Sequence, residues 1–111
     1  EVDRVLDGRV PGAADYDDLP YTNAVISETM RLYPPLPLTI RQAKEDDVLD
    51  GYAIQANSSI FINIYSVHHN PDVWDNPEGF DPWRFLPDKI KEIPRFAYLP
   101  FGGGPQRFIR K

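Results

Sequence analysis

Two charged side chains at helical spacing are the first feature of this chain that could do chemistry. Glu28 and Arg31 lie three positions apart, so on a helix their carboxylate and guanidinium groups share one face and can meet. An isolated pair of this kind is usually exposed and contributes under about 1 kcal/mol. Here the surrounding helix is apolar on nearly every side, which predicts a buried pair that needs a further donor. Arg84 is the natural candidate because a guanidinium has five donors, and stacking on Trp83 or Phe85 would orient it.

Three consecutive glycines near the end of the sequence are the second feature. They follow Phe101, and without a Cβ their backbone can turn tightly and come close to a flat ligand. A run of glycines by itself is more often an ordinary flexible turn. The glycines therefore indicate a cradle, and other motifs must decide what it holds.

A pair of histidines, His68 and His69, is the third feature. Imidazole is a common metal ligand. Two histidines in a turn before Asn70 and Pro71 are more often polar surface residues, and we expect no metal ligation by them. The sequence has no cysteine, so it has neither a disulfide nor a thiolate ligand of its own.

Composition limits the classes of function that the 111 residues can have. The length allows one domain at most, and a hydrophobic fraction of 41% is too high for a disordered chain. A net charge of −5 argues against a nucleic-acid partner, which requires a basic face. We expect no membrane-spanning segment, because no window has about eighteen consecutive apolar residues. The start at a residue other than Met and the end in a glycine loop suggest a fragment or an incomplete gene model.

The elements that must position these residues are few. Residues 1–6 read as the end of a helix, and residues 20–33 as one buried helix that stops before Pro34. Strands are predicted over 38–43, 48–54 and 59–65, giving a small sheet of about three strands, with the last strand covered on both faces. Prolines limit residues 66–100 to an irregular meander with short helical turns, in which Tyr33, Phe61, Trp74 and Phe80 are expected to pack into the core. The predicted class is α+β.

Four motifs stand in a fixed order along the sequence. They are Glu28-Thr-Met-Arg31-Leu-Tyr-Pro-Pro35, Gly51-Tyr-Ala-Ile54, Phe80-Asp-Pro-Trp-Arg-Phe85 and Pro100-Phe-Gly-Gly-Gly-Pro105. In this order they resemble the cytochrome P450 family of haem-thiolate monooxygenases. In that family a Glu-x-x-Arg helix, called helix K, precedes a short sheet, a meander with a Pro-x-Arg-Phe element, and a cysteine loop.

The resemblance covers essentially the whole chain and implies an architecture. Residues 1–111 would be a partial cytochrome P450 domain with the end of helix J, helix K, the small sheet, the meander and a truncated haem loop. The parent fold would be mainly α. The oxygen-activating helix, most of the substrate pocket and the redox-partner face would lie outside these residues.

The resemblance also implies roles for individual residues. Glu28, Arg31 and Arg84 match a structural triad that fixes the meander against helix K and is not catalytic. Arg41 matches a residue that commonly contacts a haem propionate, although a charge at a strand edge is an equally good interpretation. Cofactor binding is further implied for Phe101, Gly102 and Gly104.

The haem loop departs from the family pattern Phe-x-x-Gly-x-Arg-x-Cys-x-Gly. Aligned on Phe101 and Gly104, the arginine position holds Gln106, the cysteine position holds Phe108 and the last glycine position holds Arg110. Phenylalanine has no lone pair with which to bind iron, and thiolate ligation favours O–O cleavage in this class. We therefore expect no metal ligand in this loop.

Two functions remain open on the sequence. The first is a fragment of a haem-dependent monooxygenase, inactive by itself, whose parent oxidises an apolar organic substrate with O2 and electrons from a reductase or ferredoxin. The second is a non-catalytic remnant that acts as a structural or interaction module.

Overall fold

A computed structural model describes residues 1–103 of the chain. The described part contains three α-helices, four β-strands and three single turns of 3-10 helix. The helices are α1 (Val2–Leu6), α2 (Pro20–Leu32) and α3 (Ile64–His68). The strands are β1 (Leu38–Gln42), β2 (Asp47–Leu49), β3 (Tyr52–Ile54) and β4 (Ser59–Asn63). The 3-10 turns are Ala13–Asp15, Pro82–Phe85 and Ile90–Glu92.

Helix α2 is the longest element and follows the sequence prediction closely. Proline fits its first turn, where the missing N–H has no helical partner, and the helix ends just before Pro34. Its burial differs from the prediction: among the described residues only one face is covered. Ala24 and Leu32 are buried, whereas the side chain of Ile26 is 51% exposed and that of Tyr33 is 75% exposed. The prediction of a helix buried on nearly all sides is therefore wrong for this structure.

The strands form two antiparallel pairs instead of one sheet of about three strands. Strand β1 pairs with β4, with Arg41 opposite Ile60. Strands β2 and β3 form a hairpin whose turn residues, Asp50 and Gly51, have φ angles of 50° and 83°. Positive φ at both central residues is the type I′ geometry that Asp-Gly favours. The predicted single strand over 48–54 is thus a hairpin, and this dipeptide was the signal for it.

Strand β4 is shorter and more exposed than predicted. It ends at Asn63, whose side chain accepts a hydrogen bond of 3.0 Å from the backbone N–H of Ser66 and so caps α3. In β4 the side chain of Phe61 is 62% exposed. The prediction that this strand is covered on both faces is wrong for the described residues.

The core lies between α2 and the meander over residues 66–100. Its buried members are Ala24, Trp74, Phe85 and Ala97, and the ring of Tyr98 packs against them. Trp74 was predicted as core, and this is confirmed. The same prediction for Tyr33, Phe61 and Phe80 is wrong, because all three side chains are more than half exposed. The α+β class is confirmed.

The loop before α2 is fixed by a buried carboxylate. Asp15 accepts hydrogen bonds from both terminal nitrogens of Arg9 and a 2.8 Å bond from the backbone N–H of Gly12. The Arg9 guanidinium lowers the pKa of Asp15 to about 2. No helix among residues 1–103 is long and apolar enough to cross a bilayer.

Candidate functional site

The carboxylate of Glu28 lies at the centre of a buried network between α2 and the meander. Its Oε2 accepts a 2.7 Å hydrogen bond from Nε of Arg31. Its Oε1 accepts bonds from Nη2 of Arg31 at 2.8 Å, from the backbone N–H of Asp81 at 2.9 Å and from Nε of Arg84 at 3.3 Å. We call Glu28, Arg31 and Arg84 the ion cluster. The structure brings all three together.

Every donor of Arg31 has a partner in the structure. Besides its two bonds to Glu28, the guanidinium donates to the carbonyl oxygens of His68 at 2.8 Å, Pro77 at 2.7 Å and Gly79 at 3.0 Å. It also lies 5.2 Å from the ring centroid of Trp74. A guanidinium with five donors in use has none left for a substrate. Arg31 therefore joins α2, α3 and the meander through these hydrogen bonds.

Arg84 completes the ion cluster at its edge. Its side chain is 13% exposed, and Nη2 donates a 3.2 Å bond to the carbonyl oxygen of Asn76. Stacking on a neighbouring ring was expected to orient this guanidinium. In the described residues it is oriented by polar contacts, while Trp83 packs against Tyr21 at 5.5 Å between ring centroids.

His68 differs most from its sequence prediction. It was expected on the surface, yet its side chain is fully buried. Its Nε2 accepts a 2.7 Å bond from the backbone N–H of Leu99, so the ring proton lies on Nδ1, which donates to the carbonyl oxygen of Arg31 at 3.2 Å. Burial lowers the pKa of His68 to about 4, and the Arg31 charge acts in the same direction.

Neither histidine belongs to a metal centre in the described part of the chain. Both ring nitrogens of His68 are engaged by backbone groups. His69 stacks on Tyr65 with ring centroids 4.0 Å apart, and its Nδ1 lies 2.9 Å from the Tyr65 carbonyl oxygen. Residues 1–103 contain no cluster of three metal-ligating side chains.

A cavity of about 190 Å³ lies between the β1–β4 pair and Gly102 and Gly103, the two described residues of the glycine run, which we call the glycine loop. Arg41 and Gly102 line it, so two residues predicted to bind a cofactor share one cavity. The guanidinium of Arg41 donates bonds to Thr39 Oγ1 at 2.9 Å and to the Ile40 carbonyl oxygen at 3.0 Å. The full lining comprises Thr39, Arg41, Ile62, Ile64, Phe96, Leu99, Gly102 and Gly103.

Gly102 and Gly103 each have a different geometric reason for being glycine. Gly102 has a φ of 77°, which disfavours any residue with a Cβ. A Cβ at Gly103 would approach Leu99 Cδ2 to 3.2 Å, a tight contact beside the cavity. Gly103 was not among the predicted cofactor residues, although the glycine run contained it. Phe101 is 42% exposed and does not line the cavity.

Four of the residues singled out in the sequence lie outside the described residues. They are Gly104, Gln106, Phe108 and Arg110.

The cavity suits the edge of a flat, mainly apolar ligand that carries a carboxylate. Ile62, Ile64 and Phe96 supply apolar walls, and Arg41 supplies a cation of the kind that pairs with carboxylates. The glycine loop allows close backbone approach. The sequence has no cysteine anywhere, so a thiolate ligand to a metal within this ligand is not provided by these residues.

The motifs and the fold agree with comparisons to known proteins. The family model described as Cytochrome P450 matches residues 1–107. Cyclooctatin synthase of Streptomyces melanosporofaciens is 44% identical over 98% of this chain, which covers 24% of that protein. Cyclooctat-9-en-7-ol 5-monooxygenase of the same organism is 41% identical, with the same coverage of both chains.

A human relative shows the same pattern. Cytochrome P450 4F2 of Homo sapiens is 40% identical over 98% of this chain, which covers 22% of its length. The chain thus spans about a quarter or less of the curated relatives it matches. It belongs to the cytochrome P450 family.

Proposed function

We propose that residues 1–111 are the cofactor-supporting segment of a haem-dependent cytochrome P450 monooxygenase, and that this segment carries no iron ligand of its own. The observation that carries the proposal is the cavity that Arg41, Gly102 and Gly103 line together. In this assignment the segment is a partial cytochrome P450 domain, with α2 as helix K and residues 66–100 as the meander.

The chain's own residues have defined tasks in this assignment. Arg41 pairs with a propionate at the haem edge, and Gly102 lets the backbone approach the haem face. The ion cluster holds the meander against α2 and thereby fixes the start of the glycine loop. A haem with a thiolate ligand supplies the oxygen-activating chemistry of this class. The whole protein would act on an apolar small molecule with electrons from a redox partner.

The substitution of the cysteine by Phe108 is the feature that sets this segment apart. A thiolate is required for the haem-thiolate spectrum, and the chain has no thiol at any position. Any haem that this segment takes up would therefore be held without a thiolate ligand. We therefore propose that the segment is inactive by itself.

The test is a chimera in which residues 1–111 replace the matching segment of cyclooctatin synthase. The reduced protein is exposed to carbon monoxide, and its absorption spectrum is recorded. We expect no thiolate-type band from the unmodified chimera. The triple variant Phe108→Cys, Gln106→Arg and Arg110→Gly should regain it, and the pair Gln106→Arg and Arg110→Gly without the cysteine should not.

Two results would overturn this proposal. A thiolate-type band from the unmodified chimera would mean that the loop alignment is wrong. A folded triple variant that takes up no haem would mean that the cavity around Arg41 does not support the cofactor.

A second candidate function has its own supporting observation. Many large apolar side chains are exposed in the described residues, among them Ile40, Phe61 and Phe96. Ile40 and Phe61 lie directly opposite each other across β1 and β4, and neighbouring exposed apolar side chains are typical of interaction sites. A non-catalytic structural or interaction module would present this surface without haem, and the failure of the triple variant to take up haem would favour it.

A further inference from the structure

We propose that His68 is a positioning residue that sets the location of the glycine loop relative to the ion cluster. This inference rests on the proposed function, because the loop is taken to support the cofactor. The sequence predicted a polar surface histidine that does not bind a metal. The structure instead places this imidazole between the end of α2 and the segment that leads into the glycines.

The contacts of His68 connect these two parts directly. On one side Arg31 and His68 are bonded twice: Nη1 of Arg31 donates to the His68 carbonyl oxygen at 2.8 Å, and Nδ1 of His68 donates to the Arg31 carbonyl oxygen at 3.2 Å. On the other side Nε2 accepts the N–H of Leu99 at 2.7 Å. The ring also stacks on Tyr98, with centroids 5.4 Å apart. A neutral imidazole with one donor and one acceptor fits these two backbone groups.

Leu99 passes this constraint on to the cavity. Its carbonyl oxygen accepts a 3.0 Å bond from the N–H of Gly102, which closes the turn into the glycine loop. Its side chain lines the cavity and lies 3.2 Å from the position that a Cβ on Gly103 would occupy. A shift of Leu99 would therefore change both the turn at Gly102 and the lining of the cavity.

Two neutral substitutions separate the two hydrogen bonds of the ring. In His68→Gln the side-chain amide reaches about as far as Nε2, and its oxygen can accept the Leu99 N–H. In His68→Asn the shorter amide can still donate to the Arg31 carbonyl oxygen but cannot reach Leu99. The comparison of the two variants thus isolates the bond to the loop.

Amide hydrogen exchange gives a measurement that does not depend on activity. The variants are made in the triple-variant chimera, and exchange is followed at Leu99 and, as a reference, at Trp74. The Asn variant should accelerate exchange at Leu99 roughly tenfold, the size expected from one lost hydrogen bond, while Trp74 changes little. The Gln variant should restore most of the protection. The thiolate-type band with carbon monoxide should weaken in the Asn variant and recover in the Gln variant.

The outcomes distinguish this inference from the proposed function. Equal loss of protection at Leu99 and Trp74 would show that His68 only stabilises the core and would overturn the inference. So would an Asn variant with unchanged protection at Leu99. If the triple-variant chimera with His68 intact lacks the band while exchange at Leu99 still responds to the Asn substitution, the proposed function fails and the positioning role stands.

A second measurement tests the inference if the His68→Asn variant does not fold. Protonation of Nε2 removes the acceptor for Leu99, so protection at Leu99 relative to Trp74 should fall in the His68 protein as the pH is lowered from neutrality. The charged and titratable groups around the ring are Arg31 on α2, His69 at the C-terminal cap of α3 and Tyr98 in the meander. The Gln variant should show no such fall, and a fall of equal size in that variant would overturn the inference.

Discussion

The ion cluster and the β1–β4 pair differ in burial in the opposite way to what their residue types would suggest. The ion cluster consists of charged side chains, and Glu28 and Arg31 are fully buried. The strand pair is rich in apolar side chains, and Ile40 and Phe61 are more than half exposed. Among the described residues, a side chain is therefore buried where neighbouring segments provide contacts for it, whether it is charged or apolar. The cluster finds all its hydrogen-bond partners within α2, α3 and the meander, whereas the described residues leave Ile40 and Phe61 of the strand pair largely uncovered.

This difference teaches where the chain is self-sufficient. A buried charge is tolerated when its hydrogen bonds are satisfied, and all buried polar side-chain atoms in the described residues have partners. Exposed apolar side chains cannot be satisfied by hydrogen bonds in this way, and they are removed from water only when another surface packs against them. The ion cluster should therefore persist in any context in which the meander folds, while the strand pair should depend on what surrounds it.

Removing the central carboxylate is the strongest way to break the comparison. In the triple-variant chimera, Glu28→Ala should lower the free energy of unfolding by roughly 3–5 kcal/mol, because it leaves the buried Arg31 charge unpaired. Arg84→Ala should lower it less, since Arg31 still pairs with Glu28. Urea unfolding measures both. Lys89→Ala, which breaks an exposed pair with Glu92, is the control and should change it by under about 1 kcal/mol. A Glu28→Ala variant as stable as this control would show that the network is not needed for the fold.

Acid should weaken the buried region through His68. The pKa in the folded protein is about 4, below the ordinary 6.5, so the unfolded chain takes up the proton first. The contribution of neutral His68 to the free energy of unfolding is therefore fully present above pH 6.5. It decreases as the pH is lowered and is lost by pH 4, and the total decrease is at most about 3 kcal/mol. Urea unfolding across this range measures it. His68→Gln should flatten the profile and His69→Gln should not. Equal profiles for all three proteins would mean that another group titrates.

Substitution of Arg41 tests whether the exposed strand pair contributes a charged group to haem binding. In the triple-variant chimera, Arg41→Ala should weaken haem binding about tenfold, the size of one charge-assisted hydrogen bond. Haem titration gives the dissociation constant. Lys44→Ala removes the same charge just beyond β1 and is the matched control. Equal effects of the two substitutions would assign the loss to net charge and leave Arg41 as a strand-edge residue.

The exposed apolar surface gives the smallest expected change in stability. The isolated chain should bind a hydrophobic dye and self-associate, because several large apolar side chains among residues 1–103 are exposed. Phe61→Lys should reduce dye fluorescence while the free energy of unfolding changes little. A sharp cooperative melt of the isolated chain without dye binding would show that the described residues cover themselves in solution.

Local sequence signals predicted some of this organisation well. Proline set both ends of α2, and the Glu-x-x-Arg spacing put Glu28 and Arg31 on one face of it. Trp74 was predicted in the core. Other local predictions were wrong because burial was inferred from hydropathy alone. Phe61 and Tyr33 are aromatic, but both side chains are more than half exposed among the described residues.

The sequence by itself determined the family, the order of the motifs and the absence of any thiol, because these depend on residue identity and spacing alone. It also determined the α+β class, because periodicity and prolines act locally. Only the tertiary structure decided that His68 is buried and neutral between Arg31 and Leu99. The same holds for the cavity shared by Arg41 and Gly102, which lie about sixty residues apart in the sequence. Such contacts depend on how distant segments pack, and no local pattern encodes the partner that a buried polar group will find.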